Sequence, residues 1–271
     1  MISTTIEDVL AKGKSTLQHI SSIHWWNDRL FTFSTTKPEG YRYVAGQYAR
    51  LGLPADGEVI WRPYSMTSAP HEDRLEFYGI VVPGGRFTSQ AKLMKAGDPI
   101  LVEKMVFGFM TPDRFEAQGD APGGELWMLA TGTGIGPFIS MLRDPYVWTR
   151  FDRLILVHGV RHADEFAYEE ELARLAATPP AGARARLQCV HAVTRDELPA
   201  GSTALRGRIT TLFENGELER HAGAPLNEQT SRLMMCGNPE MIEDTRKLLH
   251  LRNLRPVRRA NPGHFLTENY W

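Results

Sequence analysis

The feature that most constrains the fold is a change of pattern near the middle of the chain. Up to about residue 107 the apolar residues fall in short runs rich in aromatic and β-branched side chains: Thr16–Ile20, Ile23–Trp26, Leu30–Phe33, Tyr48–Leu53, Glu58–Arg62 and Leu75–Val82. Gly, Pro, Asn and Asp separate them, so each reads as a strand closed by a turn. A helix at Ser89–Lys95, a turn at Gly97-Asp98 and a last strand at Ile100–Val106 complete this half. Strands at this spacing predict a small antiparallel barrel. After the polar stretch Pro112–Gly124 the pattern alternates: strand Trp127–Ala130, helix Phe138–Leu142, strand Leu154–Val160, helix Asp164–Leu175, strand Arg186–Val193, helix Thr211–Glu217, strand Arg232–Met235 and helix Glu240–Leu251. Such alternation predicts a parallel sheet covered on both faces, with ligands at the C-terminal ends of its strands. The expected organisation is a barrel domain over 1–112, a linker or insertion over 113–124, and an α/β nucleotide-binding domain over 125–271.

A length of 271 residues suits two ordinary domains with buried cores. With a formal net charge of −1, no global field draws the chain to nucleic acid or to a membrane, so a charged partner must meet a local patch. Cys189 and Cys236 are its only cysteines, which excludes a disulfide scaffold and a four-thiolate iron–sulfur cluster, and fits a reducing cytoplasm. No apolar run approaches the ~18 residues of a membrane span, and no apolar leader opens the sequence. The expectation is a cytoplasmic monomer without a metal.

Three stretches carry chemistry. In Arg62-Pro63-Tyr64-Ser65, alternate residues of an extended strand share a face, so Arg62 and Tyr64 project together; a guanidinium for phosphate and an aromatic face for a flat ring would suit a flavin nucleotide. An ordinary core tyrosine with a solvated arginine is the alternative. Gly84-Gly85-Arg86-Phe87-Thr88-Ser89 leads into a helix, either as a second anion site or with Thr88 or Ser89 as a simple N-cap; capping is the default. Thr131-Gly132-Thr133-Gly134-Ile135-Gly136-Pro137 lies at a strand-to-helix turn, where backbone N–H groups can hold a diphosphate. Its glycines at 132, 134 and 136 depart from the usual G-x-G-x-x-G, so a plain glycine-rich turn also stays open.

Arginines stand where the sheet strands should end. Arg161 follows one strand, Thr194-Arg195 the next, and Gly207-Arg208 a short loop later. Singly each reads as a solvated surface residue; together they favour the 2′-phosphate of NADP, since guanidinium forks bind phosphate directly. Cys236-Gly237-Asn238-Pro239 ends a further strand, with a glycine where a flat ring can approach the backbone; Cys236 can also be a small buried residue. His158, beside Gly159 in a strand, reads as core. The sequence ends on Tyr270-Trp271 behind a basic cluster of Arg252, Arg255, Arg258 and Arg259. Two terminal aromatics suggest docking, in an apolar groove or on a flavin or adenine ring.

In this order, Arg62-x-Tyr64-Ser65, Arg86-Phe87-Thr88, the loop at 131–137, Cys236-Gly237-Asn238-Pro239 and the closing Glu-x-Tyr-Trp resemble the ferredoxin/flavodoxin–NADP+ reductases of the short bacterial type, from about Thr16 to Trp271. The resemblance implies an FAD barrel and an NADP domain, hydride transfer between NADPH and flavin, and exchange of single electrons with ferredoxin or flavodoxin. It implies that Tyr64 and Ser65 contact the isoalloxazine, with Pro63 just before them also in the cofactor site, that Tyr78, Gly79 and Ile80 line the flavin edge, and that Arg62 with Arg86, Phe87 and Thr88 hold the FAD diphosphate. Thr131, Gly132, Thr133 and Gly134 would take the NADP diphosphate, and Arg161, Thr194, Arg195 and Arg208 the 2′-phosphate. Thr267, Glu268, Asn269, Tyr270 and Trp271 would cover the flavin and adenine. Ser65, Glu268 and Cys236 are the expected catalytic residues. Asp113–Gly124 is longer than the family pattern and is expected to be a surface insertion. A flavin or oxygenase reductase using NAD(P)H, and a non-catalytic FAD subunit of a larger complex, are the alternatives.

Overall fold

The computed structural model describes residues 5–55, 57–115, 123–259 and 261–269. A helix the sequence reading omits, α1 (Ile6–Ala11), opens it. Its start is a capping box: Thr5 Oγ1 accepts from Asp8 N at 3.1 Å, and Asp8 Oδ2 accepts from Thr5 N at 2.8 Å.

The first half is an antiparallel six-stranded sheet in the order β4-β3-β6-β1-β2-β5. The two strands expected at 16–20 and 23–26 are one, β1 (Ser15–Trp25). Its first part pairs with β6 (Pro99–Phe107) and its second with β2 (Leu30–Thr36), and an irregularity at Ile20/Ser22 lets it turn from one partner to the other. β3 (Tyr48–Ala55), β4 (Glu58–Ser65) and β5 (Arg74–Ile80) supply the rest. The sheet curls into a barrel through a bridge between Met66 and Phe77, beside which Thr67 N donates to Glu76 O at 2.8 Å. Phe31, Phe33, Phe77, Phe87, Leu51, Met66 and Val102 fill it. The helix expected at 89–95 forms earlier, as α2 (Arg86–Ala91).

The second half is a parallel sheet in the order β10-β9-β8-β7-β11-β12. β7 (Glu125–Thr131) runs through a 3-10 turn, Gly132–Ile135, into α3 (Gly136–Arg143). An unexpected α4 (Pro145–Arg150) starts at once, because the Asp144 carboxylate accepts from Tyr146 N at 2.8 Å and Pro145 suits the first helical position. β8 (Arg153–Val160) and β9 (Arg186–Val193) flank α5 (Glu169–Ala177). The helix expected at 164–175 begins only at Glu169, since Tyr168 sits in the left-handed region at φ 63°. A two-residue strand, β10 (Leu205–Arg206), pairs with β9. The helix expected at 211–217 is two, α6 (Ile209–Glu214) and α7 (Glu217–Ala222), broken at Gly216 with φ 72°. β11 (Ser231–Gly237), α8 (Pro239–Leu251) and β12 (Phe265–Asn269) finish the sheet. Strand succession runs outward from β7 through β8 to β10, then returns to β11 on β7's other side, so the order reverses between β7 and β11. Ligands of open α/β sheets bind outside the strand ends at such a reversal.

Alternate residues separate the sheet's two faces. Trp127, Leu129, Ile155, Val157, Leu233, Met235 and Phe265 pack under α6 and α8. Met128, Ala130, Leu156, Met234, Cys236 and Leu266 take the other face with α3–α5, and that cluster continues into the barrel through Leu30, Tyr78 and Met110. Phe115, expected within a surface insertion, is buried in the same cluster; residues 116–122 of that segment lie outside the described residues. Between barrel and sheet, Arg143 on α3 donates to Glu76 Oε1 and Thr67 O on the barrel side (2.7 and 3.1 Å) and makes a two-pronged pair with Glu171 on α5 (2.7 and 2.8 Å). Ser140 Oγ donates to Ser68 O at 2.6 Å, and the Tyr168 hydroxyl bonds Thr32 Oγ1 at 2.8 Å. Among the described residues no helix is long and apolar enough to cross a membrane.

Candidate active site

The barrel contributes the end of β4. Tyr64 has the parity of Ile60 and Met66 and turns its ring into the barrel mouth, 5.3 Å from the Phe87 ring centroid and 5.9 Å from that of Phe33. Arg62 shares that parity but lies beyond the rim in solvent, where Nη1 donates to its neighbour Trp61 O at 2.8 Å. Burial raises the Tyr64 phenol pKa. Ser65 is buried, and its Oγ has no hydrogen-bond partner among the described residues. Tyr78 on β5 shows the same pattern: its ring meets Tyr168 edge-on at 5.5 Å, while its buried hydroxyl has no such partner. Gly79 keeps the strand close to Tyr64, whose Cε1 would stand 3.1 Å from an added Cβ. Ile80 ends the strand, half-buried.

The capping expectation for α2 is corrected. Gly85 is the N-cap, without a side-chain bond, and Thr88 lies in the third helical position. Thr88 Oγ1 instead accepts from Val82 N at 3.1 Å and so closes the preceding turn; Ser89 caps nothing. Arg86 pairs with Glu58 at 2.6 Å, both half-exposed. Phe87 is core.

Between barrel and sheet lies a cavity of about 510 Å³, bounded by Tyr48, Pro63, Gly108 and Phe109 on one side and Thr267, Glu268 and Asn269 of β12 on the other, with Arg114 and Arg259 at its margin. Ser65 sits directly across β3–β4 from Tyr48. Glu268 Oε2 is buried and has no hydrogen-bond partner among the described residues, and burial alone pushes its carboxyl up to about 8. The carboxyl is therefore neutral at pH 7. Because the native form holds a proton that the unfolded chain releases near its ordinary value of 4.5, stability contributed by this group falls as pH rises from about 4.5 to about 8 and levels off above. Glu268→Gln removes the slope, so the gap between the thermal midpoints of the variant and wild type should be smallest at pH 4 and widen in favour of the variant up to pH 8; parallel curves would contradict the buried neutral acid. Tyr270 and Trp271 lie outside the described residues.

The sheet contributes the reversal point. Thr131 Oγ1 accepts from Asn238 N at 2.8 Å and ties the ends of β7 and β11. Gly132 is left-handed at φ 53°, and its carbonyl oxygen lies 3.0 Å from His158 Nε2. Gly134 backs onto β11 so closely that an added Cβ would stand 2.6 Å from the Cys236 carbonyl carbon, and Gly237 faces Thr131 as tightly. Gly134→Ala is expected to cost about 1–3 kcal/mol by overpacking, measured by chemical denaturation; unchanged stability would mean that the two strand ends can part. Thr133, half-exposed, stands between these glycines. Cys236 is buried, in register with Ala130 on one side and Glu268 on the other, so it and Glu268 share the face toward the barrel.

At the ends of β8, β9 and β10, three adjacent strands, stand Arg161, Thr194 with Arg195, and Arg208. Arg195 N donates to Arg161 O at 2.9 Å and Thr194 N to Val160 O at 3.1 Å, which brings the loops together. Arg161 is engaged by Glu165 at 3.0 Å, whereas Arg195 and Arg208 are exposed and no ion pair involves either among the described residues. Sequence reading missed Tyr48, Gly108, Phe109 and Arg114 as cavity walls; the signal was Phe107-Gly108-Phe109, a left-handed glycine (φ 111°) between aromatics at a strand end.

Comparisons with known proteins agree with this division. An oxidoreductase FAD-binding domain model matches residues 15–104, and an oxidoreductase NAD-binding domain model matches 128–247. The ferredoxin–NADP reductase A of Sorangium cellulosum is 37% identical over 257 residues, covering 93% of this chain and 89% of its own length. The flavodoxin/ferredoxin–NADP reductase of Escherichia coli is 38% identical over 254 residues, covering 93% and 97%. Among solved structures, a ferredoxin NADP+ reductase from Neisseria gonorrhoeae with bound FAD and NADP superimposes with a TM-score of 0.86 at 34% identity, over 95% of this chain and 99% of that one. On likeness of this extent, running through barrel and sheet alike, the chain belongs to the ferredoxin–NADP reductase family.

Proposed function

We propose that the protein is an FAD-dependent oxidoreductase that moves electrons between NADPH and a one-electron carrier, ferredoxin or flavodoxin, and works as a monomer. This reading rests on one observation: the cavity between the barrel and the C-terminal edge of the sheet is walled by aromatic and glycine residues on one side and holds on the other a buried carboxyl oxygen with no partner among the described residues. The residues fit a flavin nucleotide and a dinucleotide. Ser65 Oγ and the Tyr78 hydroxyl are buried groups without partners among the described residues, as expected of donors kept for a heterocycle, and the glycines at 132, 134 and 237 leave room for a diphosphate against the backbone. We place the division between the two nucleotide-binding units within 113–124, with 1–112 before it and 125–271 after it.

The flavin supplies the hydride and single-electron chemistry, and the protein binds, orients and shields it. In this reading Tyr64 lies along the ring, Ser65 donates a hydrogen bond to it, and Tyr78, Gly79 and Ile80 bound its edge. Arg62 and Arg86, with the N–H groups of Phe87 and Thr88, hold the FAD diphosphate; the half-exposed Arg86–Glu58 pair exchanges partners at little cost. Glu268, neutral at pH 7, holds a proton at a carboxyl oxygen inside the cavity, with Cys236 beside it on the next strand. Thr267 and Asn269 border the ring system; Tyr270 and Trp271, expected to cover it, lie outside the described residues. Thr131–Gly134 take the NADP diphosphate, and Arg161, Thr194, Arg195 and Arg208 its 2′-phosphate.

The purified protein should carry a flavin absorption spectrum and reduce an artificial one-electron acceptor with NADPH faster than with NADH. Flavin binding without turnover would favour the non-catalytic subunit, and equal rates with both nucleotides the flavin or oxygenase reductase. Reduction of ferredoxin and of flavodoxin across a salt series identifies the carrier, since docking through the arginines at 252–259 weakens as salt screens it.

A further inference from the structure

His158 lies outside every role assigned so far, yet it is the most deeply buried imidazole in the described chain, with 1% of its surface exposed. It stands on β8 in register with Ala130 of β7, under the turn that follows β7. Its Nε2 is 3.0 Å from the Gly132 carbonyl oxygen, which can only accept, so Nε2 carries the hydrogen. Nδ1 is then a bare acceptor, buried and without a partner among the described residues. The Phe166 ring packs against the imidazole edge-on at 5.5 Å and keeps it from rotating. A phenylalanine or leucine would fill this apolar space without burying a bare nitrogen, so packing alone does not account for an imidazole here.

What the imidazole does follows from the geometry of a peptide. In a trans peptide the carbonyl of one residue and the N–H of the next point in opposite directions. Holding the Gly132 carbonyl on the His158 ring therefore turns the Thr133 N–H to the side away from that ring. Gly132, at φ 53°, is the residue least able to fix that plane itself, and a 3-10 turn of four residues is a weak restraint. The N–H groups that open a helical turn have no upstream carbonyl to pair with, so their direction decides whether an anion is met.

We propose that His158 is a positioning residue for dinucleotide binding: its Nε2–H locks the Gly132–Thr133 peptide in the orientation that presents the Thr133 N–H to the diphosphate. The inference rests on the assignment of this turn to the NADP diphosphate.

The test uses the flavin-loaded protein and two probes measured by titration calorimetry: NADP+, which has the diphosphate, and 2′-AMP, which has the 2′-phosphate and adenine without it. His158→Phe should weaken NADP+ binding about tenfold, the loss of one well-placed hydrogen bond, and leave 2′-AMP affinity and flavin content unchanged. His158→Gln, whose amide nitrogen can reach the position of Nε2, should restore NADP+ binding to within about threefold of wild type. Should the phenylalanine not be tolerated, His158→Val removes the donor in a residue suited to a strand and replaces it in the comparison. Unchanged NADP+ affinity in the donor-less variant overturns the proposal, as do equal losses for both probes, which signify general damage, and a folded glutamine variant that behaves like the phenylalanine. If wild type binds 2′-AMP as tightly as NADP+, the turn is no diphosphate site and the functional reading of it falls first; wild-type preference for NADP+ with an unaffected His158→Phe sinks the positioning role alone.

Discussion

Arg195→Ala combined with Arg208→Ala is expected to abolish most of the preference for NADPH over NADH. Each guanidinium that makes a charged hydrogen bond to phosphate contributes about 1.5–3 kcal/mol, so one substitution raises KM for NADPH by roughly 10- to 100-fold, and two by less than the product because they share one ligand. KM for NADH, which has no 2′-phosphate, should change by about twofold or less. These two are the informative positions because neither gives up an ion pair among the described residues on substitution, whereas Arg161 is held by Glu165 and its loss would also free a carboxylate. Equal changes for both nucleotides would place the arginines outside the ribose site, and no change for either would return them to plain surface.

The second large effect lies between the barrel and the sheet. Arg143→Met leaves Glu76 and Glu171 facing an apolar side chain in a mostly buried site, and removing one partner of a buried network costs about 3–5 kcal/mol. Adding Glu76→Gln and Glu171→Gln should return at least half of that, because the penalty comes from uncompensated charge rather than from poorer packing. Thermal unfolding of the single variant should also lose cooperativity, since Arg143 is bonded to both halves. A single variant within about 1 kcal/mol of wild type would show that water reaches the carboxylates.

How far the sequence foretold this molecule depends on the length and periodicity of each element. The barrel strands and β7, β8, β9 and β11 are long enough for their burial pattern to show, and nearly all were legible to within a few residues. β10 has only two residues, and β12 alternates into Thr267-Glu268-Asn269, so its polar end hides a strand that lines a cavity. The turn motifs were visible because glycine is needed where backbones nearly touch, as Gly134 does at Cys236. Arg143 was invisible for the opposite reason, and so was the burial of Glu268, a residue that only the family resemblance had singled out: an arginine or glutamate in a sequence reads as solvent-exposed, and only the packing of residues far apart in the chain encloses them. His158 read as core and is core; that its ring also reaches Gly132 is a fact of the β7–β8 register, which spacing along one strand does not contain.

The parallel pairing of β12 with β11, Cys236 opposite Glu268 and Met235 opposite Thr267, bears on which insertions and deletions the gene can tolerate. Successive strand residues face opposite sides, so losing one codon within Phe265–Thr267 would rotate the glutamate away from the cavity and bury it under α8 among Leu233, Met235 and Phe265's neighbours. A codon lost or gained in the connection between α8 and β12 can be absorbed there without changing the register. Length variation around β12 should therefore be confined to that connection, and a frame-preserving deletion scan would show a window of about four residues, Phe265 to Glu268, in which the protein survives only as an inactive, unstable product.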